Sequence, residues 1–459
     1  MIAKTQTQPA ATGEAGREVV LDVGPVAHGG HCVARHEGRV IFVRHAIPGE
    51  KVRARLTNAD DKAKFWRADV VDVLEASPDR VDHFWQLADS GRAWSHGHPP
   101  VGGAEFGHIA LARQRTLKAD VLTEQLTRLA GVGQLPQDWA GTSVEAVGGA
   151  SDGGSGLGWR TRASFSVTPG GKLGMHAHRS GHIIPVREMP LAIDAINSLR
   201  LWDIDLQGVD RVEVAAPANG SRPLVLLAPA EGTKPKRLSA IAAQLPADVS
   251  VAAFDPLTEA VDQLRGRLWV QESAAGHDYR VTGAGFWQIH RDAPGTLVGA
   301  VTQFLQGGDF LHPGAVVADL YAGAGLFTAV LADAVGETGS VLSVEGAPGT
   351  SRDARKNLHA APHVEIVQGR VERVLHRKPR NFDALVLDPP RAGAGKAVVG
   401  QLIESHPRAI AYVSCDPASF ARDVGYFRQA GWELKALRAF DLYPHTHHLE
   451  TVALLTPGP

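Results

Sequence analysis

The run Val316-Val317-Ala318-Asp319-Leu320-Tyr321-Ala322-Gly323-Ala324-Gly325 decides how the second half of this chain folds. A short strand-type run ends in an acid and a Gly-x-Gly turn, and a helical run opens at Leu326-Phe327-Thr328. Glycine lets the backbone turn tightly and come close to a ligand. The next apolar run, Val341-Leu342-Ser343-Val344-Glu345, closes on a carboxylate. An acid at that second strand end can accept both ribose hydroxyls of an adenosine cofactor. Two cofactors compete for the turn. A dinucleotide fingerprint wants a third small residue for the pyrophosphate, and Leu326, Phe327 and Thr328 follow Gly325 instead. S-adenosylmethionine carries no phosphate and does not need that residue, so the turn favours the methyl donor without excluding the dinucleotide.

Further strand-type runs follow at Val364-Glu365-Ile366-Val367, residues 382–387, residues 409–414 and Val452 to Leu455, with helical stretches between them. This alternation predicts an α/β, Rossmann-like doubly wound sheet. Two of the strands end in polar motifs. Asp388-Pro389-Pro390-Arg391 stops one rigidly, because proline fixes φ and gives no N–H. Tyr412-Val413-Ser414-Cys415-Asp416-Pro417 ends the next. A lone cysteine is usually a small buried hydrophobe, but the polar setting and the strand-end position of Cys415 argue for chemistry.

Upstream, residues 1–16 lack an apolar period and read as a disordered tail. From residue 17 to 76, short alternating runs separated by turn signals predict a small β-barrel. Between residues 35 and 67 it is rich in basic side chains (Arg35, Arg39, Arg44, Lys51, Arg53, Arg55, Lys62, Lys64, Arg67), with Phe42, Phe65 and Trp66 among them. Basic groups neutralise phosphates and aromatics stack on bases. Residues 77–285 read as a mixed α+β central domain, with a helix over residues 110–129, a Gly/Ser-rich loop over residues 148–158 and hairpin-like alternation over residues 159–184. The segment at about residues 100–131 is expected to pack on the catalytic domain, residues 286–459.

Among 459 residues, 47 Lys and Arg against 49 Asp and Glu leave a net charge of -2, so any polyanion-binding surface must be local. The two cysteines, Cys32 and Cys415, argue against a disulfide scaffold, rule out an all-cysteine cluster within one chain and suit the reducing cytosol. No signal peptide is expected at the N-terminus. The most apolar stretch, residues 315–335, contains Asp319 and Asp333, so no membrane span is expected.

In order, Phe286-Trp287-Gln288, the 319–327 glycine turn, Asp388-Pro389-Pro390-Arg391, Tyr412 to Pro417 with Ala421-Arg422-Asp423, and Asp441-Leu442-Tyr443-Pro444 with Thr446-His447-His448-Leu449-Glu450 resemble the RNA 5-methyluridine methyltransferase family of the TrmA/RumA type. Residues 19–75, with Gly29-Gly30 and Ile47-Pro48-Gly49-Glu50, resemble a TRAM domain, an OB-like RNA-binding barrel. The resemblance implies methyl transfer from S-adenosylmethionine to C5 of a uridine in transfer or ribosomal RNA. It implies Cys415 as nucleophile and Glu450 as general base. It also implies cofactor contacts from Gln288, Tyr321, Gly323, Gly325, Glu345 and Asp388. Phe286 and Trp287 could stack on the target base or belong to a core. A cytoplasmic monomer is expected. The alternatives are an RNA-binding protein whose catalytic domain is silent and a nicotinamide-dependent oxidoreductase.

Many family members hold a four-cysteine iron–sulfur cluster. Ser95, Val101, Ala104 and Met189 stand where those cysteines would be, so neither the cluster nor another metal is expected. Asp416 replaces a commoner Asn, and His445 a commoner Gln.

Overall fold

The computed structural model describes residues 13–133, 143–148, 154–178, 180–258, 260–377 and 381–458. They form two compact units. The first runs to Leu117 and includes His445–His447; the second comprises Lys118–Pro444 and His448–Pro459.

The first unit is built on β1 (Glu18–Asp22), β2 (Val26–Ala27), β3 (His31–His36), β4 (Arg39–Arg44), β5 (Lys51–Asn58) and β6 (Phe65–Glu75), in the order β1-β5-β6-β4-β3-β2. Val19 and Leu21 point inward while Glu18, Val20 and Asp22 face out, the period-two pattern of a half-buried strand. The two edges meet after β1, where Gly24 N donates to Val33 O (2.8 Å) and Val33 N to Pro25 O (2.9 Å). The sheet therefore closes as the expected barrel. Of the expected disordered tail, residues 1–12 lie outside the described residues. Residues 13–16 correct that expectation, since Glu14 N donates to Ala59 O (3.1 Å) and Gly16 N to Leu56 O (2.8 Å). Residues 77–117 also belong to this unit rather than to a central domain. They are tied to the barrel by Glu50, 1% exposed, which receives Arg80 Nε at 2.6 Å and Nη2 at 2.7 Å, and by the Ser90 hydroxyl, which donates to Val70 O at 2.5 Å.

In the second unit, β7 (Glu145–Ala146) is followed by β8 (Arg162–Val167), β9 (Leu173–His176), β10 (Ile183–Pro185), β11 (Val209–Ala215), β12 (Leu224–Pro229), β13 (Ser250–Phe254) and β14 (Val261–Arg265). Strands β8 to β14 make a seven-stranded sheet, order β10-β9-β8-β11-β12-β13-β14, antiparallel except for the parallel pair β12–β13. A hairpin, β15 (Trp269–Ala274) and β16 (His277–Thr282), leads on. The last sheet contains β17 (Val316–Leu320), β18 (Ser340–Glu345), β19 (Val364–Gln368), β20 (Ala384–Leu387), β21 (Ala409–Ser414), β22 (Trp432–Asp441) and β23 (Glu450–Pro457), in the order β19-β18-β17-β20-β21-β23-β22-β7.

Strands β19 to β21 pair in parallel, and β20 and β21 are buried on both faces, as parallel strands covered by helices must be. The chain runs outward from β17 to β18 and β19, then returns to β20 on the other side of β17. That reversal opens a crevice at the carboxyl ends of β17 and β20, where ligands bind in doubly wound sheets. Residues of β11, β12 and β13 share one apolar cluster with β17, β18, β20 and β21. The expected central domain is thus divided between the two units, and one face of its seven-stranded sheet shares a core with the catalytic sheet.

Ala119, Leu122, Leu126 and Ala130 pack in a cluster with Leu320, Leu385 and Phe420. Beside them lies a buried ion pair, Lys118 Nζ to Asp441 Oδ1 at 2.5 Å, with side chains 1% and 0% exposed. Removing one partner of a buried pair leaves an uncompensated charge, at a cost of about 3–5 kcal/mol. Lys118→Ala should therefore lower the denaturation free energy by about 3–5 kcal/mol. The double change Lys118→Met with Asp441→Leu should recover most of it; a Lys118→Ala urea midpoint matching wild type would refute the assignment.

Candidate active site

Five of the catalytic strand ends converge on the crevice. Tyr321 follows β17, Glu345 ends β18, Asp388 follows β20, Cys415 follows β21, and Glu450 opens β23. Parallel pairing of Leu320 with both Val344 and Leu387 puts the first three residues side by side. Antiparallel pairing runs from Ile410 with Leu455 to Ser414 with Thr451. Continued one step past the last paired residues, this register brings Cys415 towards Glu450, near enough for the carboxyl group to raise the thiol. Thr451 Oγ1 donates to Ser414 O at 3.1 Å and secures this end of the pair.

At the glycine turn, Tyr321 takes φ 65°, Gly323 56° and Gly325 96°. A non-glycine residue at positive φ is strained, and such strain gathers at functional sites. A Cβ on Gly325 would lie 3.0 Å from Leu358 Cδ1, whereas one on Gly323 would meet nothing within 4 Å. The turn is therefore tight against the helix behind it and open in front. Glu345 Oε2 accepts Gly323 N at 2.8 Å and Oε1 accepts Ala347 N at 2.5 Å, so the carboxylate braces the turn. Asp319, at the penultimate position of β17, is fully buried; Oδ2 receives the Thr328 hydroxyl, and Oδ1 has no partner. Gln288 Nε2 approaches Asp388 Oδ2 at 3.4 Å.

Asp416 caps the helix Pro417–Gln429, accepting Ala418 N at 3.1 Å and Ser419 N at 2.9 Å. Asp and Asn are equally good N-caps, so the departure at Asp416 preserves the turn that presents Cys415. On the same helix, buried Asp423 accepts Ala394 N (2.7 Å), Gly395 N (3.2 Å) and the Tyr412 hydroxyl (2.8 Å). It pins the loop that follows Asp388-Pro389-Pro390-Arg391. Gly393 is obligatory there: its φ is 76°, and a Cβ would fall 2.5 Å from Asp423 Oδ2.

The site is acidic and largely buried. Burial, reinforced by the neighbouring Asp319, pushes Asp388 up to about 7. Burial and then Asp388 raise Glu450 well above the usual carboxylate range. Cys415 is pushed up to about 12, first by burial, then by Glu450 and Asp388, with Asp416 adding to the rise and Arg391 opposing it. A raised thiol carries little thiolate at neutral pH. Iodoacetamide alkylation of Cys415 in the substrate-free chain should therefore be slow at pH 7 and still be accelerating above pH 9. A rate that levels off below pH 8 would contradict this electrostatic picture.

The aromatic pair splits. Trp287 is buried in the core, 5.1 Å from the Tyr279 ring, whereas Phe286 is 63% exposed. Stacking on a base is thus open to Phe286 and not to Trp287. Among residues that sequence reasoning did not single out, Tyr443 donates its hydroxyl to Glu450 Oε2 at 3.1 Å. Asp319 and Asp423 lie within the motifs quoted above, but the sequence assigns them no individual role.

In the barrel, several expected phosphate-binding charges are committed internally. Arg44 holds Asp69 at 2.9 and 2.8 Å, Arg53 faces Asp72 at 3.5 Å, and Lys51 lies 3.8 Å from both Asp22 and Glu75. Arg35, Lys62 and Lys64 are exposed. Phe65 is exposed too; it is crossed edge-on by Phe42 at 5.1 Å and covered by Arg67 at 5.1 Å. Val101 and Ala104 are buried apolar residues of the first unit, and Met189 is buried in the second. Among the described residues, no group of three or more His, Cys, Asp or Glu is arranged to hold a metal, and no helix is long and apolar enough to cross a membrane.

Comparison with known proteins identifies the family. Residues 369–457 match the tRNA (Uracil-5-)-methyltransferase family, and residues 14–71 match the TRAM domain. An RNA methyltransferase of Streptomyces avermitilis is 43% identical over 445 residues, covering 96% of this chain and 99% of its own. The chain belongs to this RNA methyltransferase family. The 23S rRNA (uracil(1939)-C(5))-methyltransferase RlmD of Shewanella denitrificans is 28% identical, with 95% of each chain covered. Among solved structures, the tRNA (uracil-54, C5)-methyltransferase of Pyrococcus abyssi, in complex with S-adenosyl-L-homocysteine, shares the fold. It has a TM-score of 0.66 and 20% identity, and 95% of this chain and 99% of that one are covered.

Proposed function

We propose that this chain methylates C5 of a uridine in RNA, with S-adenosylmethionine as donor, through a covalent adduct between Cys415 and C6 of the base. The observation that supports the reading is the register of β21 and β23, which, continued one step past Ser414 and Thr451, brings a thiol and a carboxyl group to the same end of the sheet.

The residues of the turn suit the donor. Open space in front of Gly323, the carboxylate of Glu345 at the strand end and the unpartnered Asp319 Oδ1 fit a nucleoside with polar edges and no phosphate. Gln288, Tyr321, Gly323, Gly325, Glu345 and Asp388 would hold it. When bound, the sulfonium supplies an electrophilic methyl group. Everything else falls to the chain's own residues.

Uracil C5 is a poor nucleophile. Addition of the Cys415 thiolate to C6 pushes electron density into the ring and makes C5 nucleophilic. After methyl transfer, C5 still bears its proton. Glu450 takes that proton, and the electrons left behind expel the thiolate. Burial favours this division of labour, because a buried carboxyl group with a raised pKa is a stronger base once ionised. A base inside a duplex cannot reach Cys415, so the uridine must be flipped out or single-stranded.

The test is incorporation of labelled methyl from S-adenosylmethionine into total RNA from cells lacking the gene, followed by nucleoside digestion. Label in 5-methyluridine supports the proposal. Label in another nucleoside, or none, overturns it.

A further inference from the structure

A base working from Glu450 faces a conflict. Burial and the nearby Asp388 both favour its protonated form, yet proton removal needs the carboxylate, aimed at C5. Tyr443 offers the counterweight. Its hydroxyl is 3.1 Å from Glu450 Oε2, seven residues along the chain and on the same side of the crevice mouth. We propose that Tyr443 is a positioning residue for methyl transfer, its hydroxyl bond to Glu450 Oε2 aiming that carboxylate for removal of the C5 proton. This inference rests on the function proposed above.

The phenol is itself held from several directions. Its ring meets Trp159 edge-on at 5.9 Å and 73°, and His448 at 6.0 Å and 78°. Trp159 is in turn stacked on His290 at 5.5 Å and 17°. The Tyr443 carbonyl accepts Lys118 Nζ at 3.1 Å, and the same ammonium holds buried Asp441 two residues earlier. Backbone and ring are thus both fixed, so the direction of the hydroxyl is fixed with them. Burial, the Glu450 charge and Cys415 raise the phenol well above its ordinary value, so it keeps its proton and stays a donor. Donation to a carboxylate stabilises the ionised form, and here it opposes the upward push on Glu450. The charged or titratable groups around the pair are Asp388, Cys415, His448, the Lys118–Asp441 ion pair at the Tyr443 backbone and, 3.5 Å from His448, Arg391.

A merely structural tyrosine and a positioning one differ in what Tyr443→Phe does. The ring packing survives that change and only the hydroxyl is lost. Hydrogen bonds to charged groups are among the strong ones, so kcat should fall about 10- to 100-fold. Apparent KM for S-adenosylmethionine should be unchanged. The acid limb of the kcat profile should move to higher pH, since Glu450 then ionises later. A covalent protein–RNA band should build up on denaturing gels, because the slowed step follows methyl transfer. Fluorotyrosine at position 443, of nearly the same shape but a stronger donor, should move the acid limb to lower pH. It reads out the role even if Tyr443→Phe folds poorly.

The experiment uses the full chain with total RNA from cells lacking the gene. Normal wild-type turnover, with pH profiles for the phenylalanine and fluorotyrosine forms that match wild type, would overturn the inference and leave the methyltransferase reading standing. A wild-type chain that methylates no uridine would overturn both.

Discussion

Replacing Cys415 by alanine should abolish methyl transfer while leaving cofactor affinity intact. The expected loss is about 10⁴-fold or more, the scale on which removal of a covalent nucleophile acts in other enzymes. No other thiol can substitute: the second cysteine, Cys32, is buried in the first unit. Without addition at C6, the ring has no reason to attack a methyl group. The turn at Gly323 and its brace at Glu345 make no contact that depends on a sulfur atom. Calorimetry with S-adenosylhomocysteine should therefore give the same dissociation constant for Cys415→Ala as for wild type. Methylation by the variant at even a few per cent of the wild-type rate would exclude Cys415 as nucleophile.

Glu450→Gln should fail differently. Its amide fills the same space and still offers an oxygen to the Tyr443 hydroxyl, but it cannot take a proton. Addition and methyl transfer precede the step that needs the base, so label should enter the RNA and remain attached to the protein. Release of free product should slow by about 10²- to 10⁴-fold, the usual worth of a general base. The labelled band should survive denaturation and disappear on nuclease digestion. Free 5-methyluridine RNA from this variant without any trapped complex would assign proton removal to another group.

The two variants also show which parts of the molecule were legible in the amino-acid order. Strands β17, β18, β20 and β21 stood out because short runs buried on both faces must be continuously apolar. Their polar exits, at Tyr321, Glu345, Asp388 and Cys415, stood out against that background. The barrel was legible from alternation, although β3 was not, since His31-Cys32-Val33-Ala34-Arg35-His36 carries little apolar signal. Strand β22 was missed for a specific reason: its register shifts between Leu434 and Ala436, which breaks the period-two pattern. The division of residues 77–285 was equally hidden. It depends on Arg80 reaching Glu50, and on Leu224, Leu226 and Phe254 sharing a core with Val317 and Ala384. Such partners lie far apart in the sequence, and no local pattern announces them. The role of Tyr443 is not legible in its motif, because a phenol's role is set by what its hydroxyl reaches.

The ladder that joins β21 to β23 has a consequence for how this enzyme can vary. Thiol and carboxyl belong to segments 35 positions apart, yet their spacing is dictated by main-chain pairing and not by the helix or the loops between them. Insertions between the helix Pro417–Gln429 and β22 could lengthen the excursion at no chemical cost, whereas β22 and the turn after it carry Asp441 and Tyr443 and could not. A one-residue slip of β23 against β21 would turn Glu450 to the opposite side of the sheet and disarm the enzyme without altering a single side chain. Natural diversity among such chains should therefore accumulate as loop length between the two strands, never as a change of phase within them.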